Sequence, residues 1–126
     1  MPAPRVIKKY PNRRLYDTEL SRYITLADVH GLVLDGIELR VVDSSSQEDL
    51  TRAILLQIML EEEAGGEPLF SAKMLSQIIR FYGGTVQGMF ARYLEESLDL
   101  FARQQQEMRE AFGNTTLEAM TRMAQR

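Results

Sequence analysis

Few residues in this chain could do covalent chemistry. His30 is the only histidine, and cysteine is absent. A general base needs a partner that orients it or takes up its charge, and the sequence offers no recognisable one for His30, so it reads as structural or solvent-facing. Glu61, Glu62 and Glu63 are consecutive, and on a helix neighbours point about 100° apart, which scatters metal ligands instead of converging them. They read as the solvated end of a helix. Gly83-Gly84 lacks the lysine and the spacing of a phosphate loop. No catalytic residue, metal site or cofactor is expected, and the protein is not read as an enzyme.

What remains is non-covalent chemistry, and it is concentrated at the start. "VIKKYPNRRLYD", residues 6–17, holds four cationic residues and two tyrosines. Residues 5–22 carry six cations against two carboxylates, a local net of +4, whereas the whole chain has a net charge of −3. Charge acts within a Debye length of about 8 Å, so the segment outweighs the total. Lys and Arg meet phosphates, Asn and Arg can read base edges, and a two-stranded ribbon is thin enough for the major groove. Lys8, Lys9, Tyr10, Asn12, Arg13, Arg14, Tyr16 and Arg22 are therefore candidate contacts to double-stranded DNA. A solvated surface hairpin is the plainer alternative.

These side chains need a scaffold. Residues 6–10 and 14–17 favour strands, and "YPNR" reads as a type II turn with Pro11 first and Asn12 at the positive φ. "RYIT" at 22–25 is a third short strand, and "IELRVVD" at 37–43 can join the sheet. Cations on both faces of residues 6–10 argue against a core strand and for one that sits exposed or lies against something charged. Thr25, with Asp28 three residues on, caps a helix over 26–36. Residues 48–63 form a helix with Leu50, Ile54 and Ile58 in register, apolar over enough of its circumference to need partners on more than one side.

"AGGEP" at 64–68 is the boundary, and beyond it no strand is expected. Ser71 caps a helix over 71–82. A long amphipathic helix follows over 85–112, stopped by Gly113, with a last helix after it. The fold class is thus α+β: a small N-terminal antiparallel sheet with helices, then an all-helical half. Met89, Phe90, Tyr93, Leu94, Leu98, Phe101, Met108 and Phe112 give the long helix an apolar surface for a subunit interface or an apolar ligand. A homodimer built from these helices is expected, with a tetramer as the larger form. No run of about 18 apolar residues exists, so no membrane span is expected, and the lack of cysteine and of a secretion signal suits the cytoplasm.

"VIKKYPNRRLYDTELSRYITLADV", "LRVVD", "EDLTRAILLQIMLEEE" and "EPLFSAKMLSQIIRFYGGTVQGMFARYLEESLDLF" follow one another in order. In this the chain resembles the bacterial polyhydroxyalkanoate synthesis repressor (PhaR) family, over residues 5 to about 112. The resemblance implies a DNA-binding domain at 5–64 and a polyhydroxyalkanoate accumulation regulatory helical region at 68–112, leaving 113–126 as a helical tail. It also implies a repressor of genes for granule proteins and polymer synthesis. Such a repressor binds the polyester (polyhydroxybutyrate, PHB, or a related polymer), leaves the DNA for the granule surface, and so lifts repression. It would reside on the nucleoid and on granules. Three rivals keep part of these features: a phasin-like granule protein without DNA binding, an RNA-binding regulator, and an oligomerisation module that binds neither.

Overall fold

In the computed structural model the backbone is described for residues 3–124 and side chains as far as Ala111. The chain divides into two compact units, Met1–Ser71 and Ala72–Arg126.

The first unit contains β1 (Arg5–Lys9), β2 (Leu15–Asp17), β3 (Arg22–Ile24), α1 (Leu26–Leu34), β4 (Leu39–Asp43) and α2 (Thr51–Gly65). Its four strands lie in the order β3-β2-β1-β4. The α+β class stands, with one refinement: β4 joins β1 in parallel, pairing Arg5 with Leu39 and Lys9 with Asp43, so the sheet is mixed. β1 is also an inner strand, not an exposed one. Ile7 alone carries its middle into the core and is fully buried, while Arg5 and Lys9, on the same face, sit at its ends. Charge at the two ends of a five-residue strand can reach solvent past the core, which the expectation from alternation overlooked.

Ile7, Leu15, Ile24 and Val41 line one face of the sheet and pack with Val29 of α1 and Ile54 and Ile58 of α2. The helices are placed by hydrogen bonds that the sequence partly announces. Thr25 Oγ1 accepts from the Asp28 N–H at 3.1 Å, and Asp28 Oδ2 accepts from the Thr25 N–H at 2.8 Å, completing the expected capping box. That bond holds the Asp28 carboxyl below its ordinary pKa. α2 is fastened to β4 through Thr51, whose Oγ1 accepts from the Val41 N–H at 2.8 Å. Leu56, Met59 and Leu60 of α2 remain exposed, so only one side of this helix is covered.

The second unit contains α3 (Ala72–Ile79) and α4 (Gln87–Ala124). α3 is shorter than the span 71–82, because Phe81 and Tyr82 donate to Ile78 and Ile79 three residues back, at 3.0 and 3.1 Å, and Gly83 then takes a left-handed φ of 78°. α4 continues through Gly113, where a stop was expected. A glycine inside a helix costs only about 1 kcal/mol relative to alanine, so on its own it need not end one.

Candidate nucleic-acid interface

The basic hairpin is closed by two backbone bonds: Arg13 N–H to Tyr10 O and Tyr10 N–H to Arg14 O, each 2.9 Å. Pro11, Asn12 and Arg13 form the loop. The positive φ falls on Arg13, at 66°, and not on Asn12, so the turn is not the expected type II. It has the form of a three-residue hairpin loop whose last residue occupies the left-handed region. Asn12 instead accepts the Arg14 N–H on Oδ1 at 3.1 Å, so its side chain helps to build the loop. A non-glycine residue there costs about 1–2 kcal/mol, held in place by these three bonds.

Register sorts the candidates by face. Lys8 is opposite Tyr16, and Tyr16 opposite Tyr23, on the face away from α1 and α2. Three tyrosine rings gather there edge-on: Tyr16 and Tyr23 with centroids 5.3 Å apart, Tyr10 at 6.4 Å from Tyr16 and 6.1 Å from Tyr23. The Arg14 guanidinium lies 4.0 Å over the Tyr23 ring, a cation–π contact that fixes a side chain otherwise free to swing. Lys9 belongs to the other face and, with Arg13 and Arg14, lines a cavity at the hairpin end of the sheet. Arg22 is exposed at the start of β3, opposite Asp17. The structure therefore brings Lys8, Tyr10, Arg14 and Tyr16 together, sets Lys9 and Arg13 around the edge, and leaves Arg22 apart.

Partners divide the cations more sharply than position does. Arg5 is held by Glu19 at 2.8 Å and lies 3.7 Å from buried Asp17. The Glu19 bond raises the Arg5 pKa above its ordinary value. Asp17 in turn accepts the Glu19 and Leu20 N–H groups on Oδ1, shaping the β2–β3 turn. Arg40 is paired with Asp49 at 3.4 Å. Among the described residues, Lys8, Lys9, Arg13, Arg14 and Arg22 have no carboxylate within ion-pair distance. The internal ion pairs are made by other cations, and the hairpin's own are left for something else.

Tyr23 is absent from the candidates named on sequence grounds. Its signal was present as one tyrosine in each of three successive extended segments, but only the strand register shows that Tyr10, Tyr16 and Tyr23 meet. His30 pairs with Glu62 across α1 and α2, Nδ1 to Oε1 at 3.3 Å. Glu63 accepts the Leu69 and Phe70 N–H groups at 2.7 and 3.2 Å, anchoring the segment after α2. Both are structural uses. In the second unit, Met89, Tyr93, Leu94, Leu98, Phe101 and Met108 are all exposed, whereas Phe90 stacks on Phe81 at 4.2 Å. Phe112 lies outside the described side chains.

Residues 6–66 match the family model described as "PHB/PHA accumulation regulator DNA-binding domain", and residues 70–109 the one described as "PHB accumulation regulatory domain". The chain belongs to the PHB accumulation regulator family. It is 71% identical over its full length to a protein of Thiocystis violacea named "Uncharacterized protein in phbA 5'region", covering 91% of that protein. A protein of Allochromatium vinosum is 67% identical, again over the full chain and over 82% of its own length. No solved structure matches the chain. The regulator's first half is thus a DNA-binding domain, and its role is regulatory and not catalytic. No described helix is long and apolar enough to cross a membrane.

Proposed function

We propose that this regulator is a transcriptional repressor of polyhydroxyalkanoate granule-protein and synthesis genes, and that it is released from DNA when it binds the polyester. The observation that carries the DNA reading is the set of hairpin cations without carboxylate partners, beside others that are internally paired. A cation left unpaired at the surface costs nothing in desolvation and can displace counterions from phosphates. In this reading Lys8, Lys9, Arg13, Arg14 and Arg22 meet the DNA backbone or bases, with Tyr10, Asn12 and Tyr16 shaping or touching the same surface, and Tyr23 holding Arg14.

The polyester reading rests on the second unit. PHB is a water-insoluble aliphatic polyester, so its sensor needs extended apolar surface, and α3 and the described part of α4 display it. The same surface is suited to a homodimer or tetramer, and two hairpins related by a two-fold axis would fit a palindromic operator. A ligand shifts the DNA equilibrium only through different affinities for the free and DNA-bound states. A surface shared between subunit packing and polymer provides that difference. The protein would then divide its time between the nucleoid and the granule surface in the cytoplasm.

The test is a gel-shift titration of duplex DNA from upstream of a granule-protein gene, with and without polymer particles. Binding that polymer reverses is the expected outcome. Polymer binding without any DNA binding would leave a phasin-like granule protein, and DNA binding indifferent to polymer would remove the sensing role.

A further inference from the structure

Beside the hairpin tip, the start of α1 and one side of α2 border a half-open cavity of about 420 Å³. Lys9, Arg13 and Arg14 contribute its cationic side, and Leu15, Leu26 and Ile54 contribute apolar wall. Among the described residues its lining includes no carboxylate. Lys9 is partly compensated, because it pairs in register with Asp43, whose carboxyl is held below its ordinary pKa chiefly by the Ser46 and Ser45 N–H groups and to a lesser degree by Lys9. Arg13 and Arg14 have no such neighbour.

Ile24 and Tyr23, whose ring lies under the Arg14 guanidinium, also line it, together with two further neutral polar groups. Thr25 Oγ1 accepts the Asp28 N–H at 3.1 Å, which leaves the hydroxyl hydrogen able to donate. Gln57 is exposed on α2 and offers an amide. Cationic forks, donors and aliphatic wall in one concavity are the makings of a small-ligand site. A phosphate alone would use the cations and waste the wall. A neutral aliphatic molecule would do the reverse.

We propose that this cavity is a binding site for a small organic carboxylate with a short aliphatic body, and that its occupancy excludes DNA because Arg13 and Arg14 serve both ligands. The carboxylate sits against the two guanidinium groups, with the Thr25 hydroxyl and Gln57 amide in reach, and the aliphatic body lies on Leu15, Leu26 and Ile54. The exclusion rests on the DNA role proposed for the hairpin; the cavity's ligand does not.

The experiment titrates the full chain, without DNA, with pentanoate, pentanol and inorganic phosphate at constant ionic strength, following backbone amide shifts. Pentanoate should move Arg13, Arg14, Thr25 and Gln57 saturably, and the other two probes at least tenfold more weakly. Gln57→Glu, which sets a carboxylate into the lining from an exposed helix position, should weaken pentanoate binding at least tenfold with helical content unchanged. A second arm measures duplex affinity in sodium pentanoate against equal sodium chloride, because salt alone weakens DNA binding. Saturating pentanoate should lower DNA affinity by the factor expected of a competitor.

Absence of saturable shifts overturns the site, as does a Gln57→Glu variant that binds equally well. Phosphate or pentanol binding as tightly as pentanoate overturns the ligand class. Intact DNA affinity at saturating pentanoate overturns the exclusion. A chain that binds pentanoate but no duplex at all would fail the DNA reading while upholding the cavity, so the two are separable.

Discussion

The two units spend their apolar residues in opposite ways. In Met1–Ser71 the large aliphatic side chains converge: Ile7, Val29 and Val41 are fully buried between one sheet face and two helices. In the second unit α3 has no buried residue, and among the described side chains of α4 Phe90 and Ser97 alone are even half-buried. Tyr82, Met89, Tyr93, Leu98 and Phe101 each leave more than half of their surface exposed. Large apolar side chains left exposed in this number are what the subunit and polymer contacts proposed above would use. The first unit buries its apolar residues, and the second displays them.

That contrast breaks or sharpens on paired substitutions. Ile7→Ala empties a fully buried position, and its cost by chemical denaturation should be about 2–5 kcal/mol. Leu98→Ala, at an exposed position, should cost less than about 0.5 kcal/mol in dilute monomeric protein. A concentration-dependent loss at Leu98 comparable to that at Ile7 would instead place the α4 stripe inside an assembly, and sedimentation of the same samples would identify it.

Within the first unit the paired and unpaired cations should separate in the same fashion. Arg13→Ala with Arg14→Ala removes two unpaired charges. The slope of log K for duplex against log salt should become shallower by about 1.8, at 0.9 per phosphate, while helical content stays constant. Arg40→Ala, which breaks an exposed pair with Asp49, should change stability by no more than about 1 kcal/mol and leave that slope nearly unaltered. Equal slopes for the two variants would move the DNA surface away from the hairpin tip.

Two smaller effects probe how α1 is held under the sheet. Thr25→Ala removes the cap and should cost about 1 kcal/mol in thermal or urea unfolding. Asp28, Asp43 and Asp49 all have pKa values lowered in the folded state, first of all by backbone N–H groups of Thr25, Ser46 and Thr51 respectively. The unfolded chain therefore binds more protons. These carboxylates stabilise fully above the ordinary Asp value of about 3.9, and the contribution fades as pH falls below it. All three are solvent-accessible, so the acid-side slope should be shallow, and Asp28→Asn should flatten it further. A slope unchanged by Asp28→Asn would mean the capping box has no measurable charge component.

The parts legible in the sequence were those set by neighbouring residues. Thr25 and Asp28 announce a cap because both partners lie within one helical turn, and "AGGEP" marks the end of α2 because glycine and proline act locally. The hairpin's place was legible for the same reason, but its geometry was not. Pro11-Asn12 fits two loop forms, and bonding across the strands puts the left-handed residue at Arg13 instead. The direction of β4 was hidden because a short β-rich run has no direction until it finds a neighbour. The tyrosine cluster was hidden because alternation within one strand says nothing about which residue lies opposite. In the second unit the apolar stripe was plain, yet spacing cannot report whether anything covers it.

The parallel pairing of β1 with β4 has a consequence for how the chain comes together. Arg5 must find Leu39, and everything between them, the basic hairpin included, is the loop that this closure fastens. The hairpin and β3 can form early from near neighbours, but one edge of β1 stays bare until β4 arrives. Closing a loop of this length carries an entropic cost that must be met before its contacts reward it. During synthesis β1 leaves the ribosome well before the β4 strand that encloses it, and its Val6-Ile7 edge is the stretch most open to mispairing with another chain in that interval.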